Sequence, residues 1–198
     1  MNKTVFIIAL TEETDIANDI LGYPIIYSGV GKINAAMAAY RAFNEGYKTI
    51  INIGSCGSLK HPAGDVIKVG SVYQDIDGTP LCEYGETPFE AKGNSRQIVL
   101  DRKHLTTCFT TDYFYDHSQI SKYSQNYLDM VNSCDILDME CFALAKVCKR
   151  FNLEFSSYKW VSDDGDGSDW TENCKIGLEK VKEIFKKINH EKISPNVS

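Results

Sequence analysis

The chain has 198 residues, 43% apolar and 24% charged, the composition of a soluble globular protein rather than a disordered or fibrous one. Its 21 basic and 27 acidic residues leave a net charge of −6, which argues against a general nucleic-acid binder, since that needs a basic face. The longest apolar run, residues 5–10, is far shorter than a membrane-spanning helix. One domain over residues 1–198, with a frayed tail from about residue 190, is the expectation.

Residues 4–10 are β-branched and apolar and predict a first strand. Acidic residues follow at once and no small-residue cleavage site appears, so the run does not read as a signal peptide. Without an export signal, the seven cysteines are expected reduced, in a cytoplasm. None lies in a C-x-x-C pair, and His61, His104, His117 and His190 show no metal-ligand spacing, so neither metal nor cofactor is expected. Thr11-Glu12-Glu13 predicts a short helix capped by Thr11, with acidic residues in its first turn. Residues 24–27 are a second strand candidate. Gly29 and Gly31 turn the chain into an Ala-rich helix over 33–43, whose small residues suit close packing. Residues 49–53 predict a short buried strand that ends in the glycine-rich turn G-S-C-G-S.

Residues 66–77 hold more strand, with Gly70 marking a bend. The polar stretch 79–103 reads mostly as loop, 105–111 as strand, and 117–131 as a polar helix. A short strand over 135–137, a largely buried helix over 139–151 and a strand over 155–161 follow. An amphipathic helix over 172–188 carries Leu178, Val181, Phe185 and Ile188 on one stripe. Strands alternating with helices predict an α/β fold around a sheet that is at least partly parallel.

In such sheets ligands bind beyond the carboxyl ends of the strands. The groups placed there are Glu12 and Glu13, the Gly54–Ser58 turn, Asp138-Met139-Glu140, and the acidic run that starts at Ser162-Asp163-Asp164. Parallel neighbours would bring them to one crevice. Each has a plainer explanation. Carboxylates in a first helical turn serve the helix dipole, and Glu140 could cap its helix. Yet a carboxylate opening an otherwise apolar helix needs a partner. The turn matches no nucleotide fingerprint, and the acidic run lacks the closing Glu of an EF-hand.

The ordered motifs G-V-G-K-I-N-A-A, G-S-C-G-S-L, D-M-E-C-F-A-L-A-K-V-C and W-V-S-D resemble the nucleoside phosphorylase/nucleosidase superfamily, and within it the methylthioadenosine/S-adenosylhomocysteine nucleosidases. The resemblance runs from the first strand to the last helix. It implies a three-layer α/β/α fold with a central mixed sheet, a homodimer, and cleavage of the N-glycosidic bond of a purine nucleoside. The family's catalytic Asp falls on Asp163, within Ser162-Asp163. Its ribose-binding pair falls on Met139-Glu140, its water-activating Glu on Glu13, and its small-residue turn on Ser55, Cys56 and Gly57. The Phe that stacks on the base falls on Phe114, within Asp112-Tyr113-Phe114. Asp163 would protonate the leaving purine, Glu140 would hold the ribose hydroxyls, and Glu13 would take a proton from water. Met139 would pack on the sugar and Phe114 on the base.

Departures from the family pattern bear on substrate choice. The stretch between about residues 84 and 105 is short, Ser58 and Cys56 replace smaller residues, and Asp138 stands where Glu is usual. A phosphorylase would need cations for phosphate, usually arginines. The four present, Arg41, Arg96, Arg102 and Arg150, lie away from the glycine turns, where Lys32 is the lone basic residue. Water as nucleophile is therefore the favoured reading. A phosphorylase is the alternative, and a non-catalytic nucleoside-binding domain a further one.

Overall fold

A computed structural model describes residues 3–90, 96–163 and 170–193, with side chains to residue 188. Ten strands form one mixed, branched sheet. At its centre β1 (Thr4–Ile8), β3 (Tyr23–Tyr27), β4 (Thr49–Gly57) and β10 (Glu154–Asp163) run parallel, in the order β3-β1-β4-β10. The last residue of β4, Gly57, meets Leu137 of β9 (Ile136–Asp138) in an antiparallel pairing. From β9 the sheet continues through β8 (Thr107–Thr110) and β6 (Ser71–Gln74), both parallel, to β7 (Gln97–Val99) at the edge. Two short strands pair antiparallel outside this path, β2 (Asp19–Ile20) with β3 and β5 (Val66–Lys68) with β10.

Strand alternation sorts the core. Val5, Ile7 and Ile50 face α1 (Lys32–Asn44) and α3 (Cys141–Arg150), whereas Phe6, Ile8, Ile51 and Ile53 face α4 (Trp170–Ile193). Both faces are covered, which is why β1 and β4 read as continuous apolar runs rather than as alternating ones. On α1 the buried residues are Ala35, Ala38, Ala39 and Ala42. They let α1 lie close to α3 and β1, so the small-residue face is used inside the chain. On the opposite side a Cβ added at Gly177 of α4 would fall 2.2 Å from Trp160 Cγ, so the helix rests directly on that buried indole. The fourth helix, α2 (Gln125–Ser133), packs Tyr127, Met130 and Val131 on Phe109 and Leu137.

Several local expectations change. Thr11–Glu13 is one 3₁₀ turn that follows an extended Leu10, and Thr11 Oγ1 donates to Glu12 rather than capping the backbone. β4 runs through the G-S-C-G segment, so those residues are strand and not turn. Pairing with β10 as far as Gly57 opposite Asp163 keeps that backbone extended. The stretch 79–103 contributes β7, and β2 is an addition. The 117–131 helix is two pieces, a 3₁₀ segment His117–Lys122 and α2, each opened by its own capping side chain. Asp116 accepts from Ser118 N, Ser124 accepts from Tyr127 N, and Tyr123 between them is extended. α3 begins at Cys141, with Glu140 just outside it. Among the described residues no helix is long and apolar enough to cross a membrane, and all seven cysteines are free thiols.

Candidate active site

A cavity of about 450 Å³ lies beyond the carboxyl ends of β1, β4, β9 and β10. Four carboxylates reach its lining from three segments: Glu13, the pair Asp138 and Glu140, and Asp163.

Glu13 is 3% exposed. Its Oε1 accepts from Ser55 N (2.6 Å) and Ser55 Oγ (2.8 Å), and its Oε2 accepts from Leu10 N (3.1 Å). A carboxylate offers about four acceptor positions, and these bonds fill three. Gly54 makes the approach possible: a Cβ there would sit 3.1 Å from Glu13 Oε1. Glu12, one residue earlier, is exposed.

Glu140 is buried but makes no capping bond to its own helix. Its Oε1 accepts from Gly31 N at 3.0 Å, and Gly31 holds a φ of +97° that only glycine adopts without strain. Lys159, in mid-strand on β10 and 1% exposed, places Nζ 2.8 Å from Asp138 Oδ2 and 3.8 Å from Glu140 Oε2. Asp138 is held by Thr110 Oγ1 (2.6 Å), Cys141 N (2.8 Å) and Cys108 Sγ (3.3 Å). Burial pushes the Glu140 carboxyl up, to about 7, against the pull of Lys159. Burial pushes Asp138 up, but the charge and hydrogen bond of Lys159 together with the bonds from Thr110 and Cys141 N bring it below its ordinary value. Both carboxylates hold Lys159 charged despite its burial. Cys108, Asp138 and Cys141 bring ligand-type atoms within 4.8 Å of one another, but both Asp138 oxygens are already engaged and a cation, Lys159, sits there.

Asp163 ends β10. Its Oδ2 accepts from Ser162 Oγ (2.8 Å), and its carbonyl accepts from Ser58 N (3.1 Å). Ser162 Oγ also reaches the Cys56 carbonyl at 3.2 Å, and Asn173 Nδ2 donates to the Ser162 carbonyl at 2.8 Å. This ties the end of β10 to α4. The rest of the lining is chiefly apolar and aromatic: Met139, Tyr113, Trp170, and Phe114, which is 67% exposed. Trp170 Nε1 donates to Ser55 Oγ at 3.3 Å, so the Glu13–Ser55 group is braced from α4.

Of the residues singled out by sequence, Glu13, Ser55, Gly57, Phe114, Met139, Glu140, Ser162 and Asp163 line this one cavity. Cys56 does not contribute its side chain. Successive residues of a strand point to opposite faces, so Ser55 faces the cavity and the Cys56 thiol turns into the core, 3.4 Å from the Trp160 carbonyl. Burial raises that thiol far above its ordinary value. Lys32, at the glycine turn, bonds the Asp75 carbonyl (2.8 Å) and pairs with Asp112 (3.3 Å). Asp164 and the acidic run to Asp169 lie outside the described residues. Sequence reasoning missed Lys159 and Trp170. A signal existed for the first: a lysine within F-S-S-Y-K-W-V is a charge in a strand covered on both faces, and such a charge needs buried partners.

Residues 23–189 match the Phosphorylase superfamily. The 5′-methylthioadenosine/S-adenosylhomocysteine nucleosidase of Buchnera aphidicola subsp. Schizaphis graminum is 32% identical over 190 residues, covering 83% of this chain and 79% of that protein. The enzyme of the same name from Staphylococcus aureus (strain Newman) is 31% identical over 165 residues, 72% of this chain and 69% of that one. Among solved structures, the Helicobacter pylori nucleosidase with butyl-thio-DADMe-Immucillin-A aligns with a TM-score of 0.76 at 17% identity, over 94% of this chain and 99% of that one. Futalosine hydrolase of H. pylori strain 26695 aligns at 0.75, also at 17% identity, over 94% and 98%. At such identity the structural likeness speaks to the fold, which is shared along nearly the whole chain. The sequence match carries the relationship further: this chain belongs to the phosphorylase superfamily, among its nucleosidase-like N-glycosyl hydrolases.

Proposed function

We propose that the protein hydrolyses the N-glycosidic bond of a purine nucleoside of the methylthioadenosine or S-adenosylhomocysteine kind, releasing free base and the ribose derivative. The observation that carries this reading is the convergence of Glu13, Glu140 and Asp163, from three separate segments, on one mostly apolar cavity. In the reaction the C1′–N bond breaks, with positive charge developing on the sugar and negative charge on the base. Asp163 donates a proton to the leaving purine, and Ser162 steadies its Oδ2. Glu140 accepts hydrogen bonds from the ribose hydroxyls and lends negative charge to the cationic sugar. Water adds to C1′ and gives its proton to Glu13. The acceptor position on Glu13 that Ser55 and Leu10 leave open suits that role. Met139, Tyr113 and Phe114 supply apolar and stacking contact.

Water rather than phosphate is favoured because no arginine lines the cavity among the described residues, and Lys159 is already shared by two carboxylates. Arg41 and Arg96 are engaged by Glu45 and Glu83. We further propose a homodimer built on the outer face of α1. There Ile33, Met37 and Tyr40 are 78%, 66% and 49% exposed, and Val30, just ahead of them, lines the cavity. A monomer by sedimentation that retained full activity would overturn the dimer.

The deciding experiment measures base release from methylthioadenosine, S-adenosylhomocysteine and futalosine, each with and without inorganic phosphate. Release independent of phosphate is expected with the 5′-thio nucleosides. Phosphate dependence would make the protein a phosphorylase. Binding without release from any of them would make it a nucleoside-binding domain.

A further inference from the structure

Lys159 is a fully buried charge of the site, and the hydrolytic mechanism just described gives it no task. Its Nζ makes a hydrogen-bonded ion pair with Asp138 at 2.8 Å. Its 3.8 Å distance to Glu140 Oε2 is too long for a hydrogen bond and acts through charge alone. Asp138 cannot yield, because Thr110, Cys108 and Cys141 hold it from β8 and α3. Glu140 is held at one end only, by Gly31 N. Its other oxygen lies 3.8 Å from the Lys159 charge, and the carboxylate shares the cavity with Glu13 and Asp163.

We propose that Lys159 is the positioning residue for Glu140. Divided unequally between Asp138 and Glu140, it favours the ionised form of the Glu140 carboxylate and aims it into the cavity, and Asp138 sets how much of its charge Glu140 receives. The proposal rests on the reading of Glu140 as the ribose-binding group. The charged groups acting on Glu140 are Lys159 from β10, Asp138 from β9 and Glu13 from the 3₁₀ turn, with the Gly31 N–H ahead of α1. Burial, Asp138 and Glu13 favour the protonated form, and Lys159 and Gly31 favour the ionised one. The two members of the pair therefore act on Glu140 with opposite sign. A lysine that merely filled space would have no such signature.

The test follows kcat/KM for methylthioadenosine against pH in wild type, Lys159→Gln, Lys159→Arg and Asp138→Asn. It also follows the side-chain ¹³C carboxyl resonance of Glu140 in the ligand-free proteins, assigned with Glu140→Gln. Lys159→Gln should move the acidic limb and the resonance titration up by about one pH unit, on the order of a tenfold loss on the limb beyond any loss at the plateau. Lys159→Arg should restore both. Asp138→Asn leaves Glu140 as the nearest carboxylate to Lys159 and should move both down. It also removes a negative charge rather than stranding one, so it remains informative if Lys159→Gln does not fold. Titrations that do not move, or that move the same way in Lys159→Gln and Asp138→Asn, would overturn the proposal. If wild type releases no base from any nucleoside, the hydrolase reading falls. The resonance titration then still decides the Lys159 inference, opposite shifts upholding it and unmoved ones overturning it.

Discussion

Glu13→Gln tests the water-activating group, and the structure makes it more than an activity test. Three donors converge on that carboxylate: Ser55 N and Ser55 Oγ on one oxygen, Leu10 N on the other. An amide has a single carbonyl oxygen. If it stays with Ser55, the NH₂ faces Leu10 N–H at a distance of about 3.1 Å, donor against donor; if it flips, two bonds to Ser55 are lost. A hydrogen bond to a charged group contributes about 1.5–3 kcal/mol, and relief of the buried charge offsets part of that, so a net cost of about 1–3 kcal/mol is expected. For a chain of this length that is roughly 2–10 °C in melting temperature. Loss of the base should also slow hydrolysis by about 10²–10⁴-fold. Glu12→Gln, on an exposed neighbour, should change stability by less than about 0.5 kcal/mol and leave the rate near wild type. Urea unfolding and single-turnover base release at saturating methylthioadenosine read both effects. A Glu13→Gln protein with unchanged midpoint and rate would refute the argument, and a severe loss confined to Glu12→Gln would place the wrong glutamate in the cavity.

Asp163→Asn keeps an acceptor for Ser162 Oγ but has no carboxylic proton to give. A loss of about 10²–10⁴-fold in kcat with an unchanged thermal midpoint is expected, and a fully active variant would move the acid elsewhere. Glu140 carries a pH signature in stability. Its carboxyl titrates at about 7 in the folded chain against an ordinary 4.5, so folding favours the protonated form. That contribution is fully present below the ordinary value and is lost as pH rises through the folded one, with a total on the order of 3 kcal/mol. Urea unfolding at about pH 5 and about pH 8 should show wild type losing more stability than Glu140→Gln across that window. A Glu140→Gln protein with the same pH dependence as wild type would remove Glu140 as its source.

Local chemistry along the chain was sufficient for the elements with strong patterning. The apolar runs of β1 and β4, the alanines of α1 and the stripe on α4 each specify a period and a burial that a single strand or helix can express. Glu13, Glu140 and Asp163 each follow a predicted strand, where an α/β sheet collects its ligands, but their roles, and the choice of Glu13 over Glu12, come from the family resemblance and not from local chemistry. The failures are where a distant segment decides. G-S-C-G looks like a turn because glycine and serine are turn formers, but β10 pairs with it and extends it as far as Gly57. The family resemblance sets Ser55, Cys56 and Gly57 together as one small-residue turn, and only the strand pairing shows that Ser55 and Cys56 face opposite sides. The edge strands β2 and β7 have little pattern of their own and exist through a partner's ladder. Lys159 is the sharpest case. A lysine reads as solvent-facing until the fold sets its strand beside the end of β9, with Nζ 2.8 Å from Asp138 and 3.8 Å from Glu140. Periodicity and residue type act over a few positions and belong to the sequence. The pairing of buried charges acts through space, and only the folded chain brings its partners together.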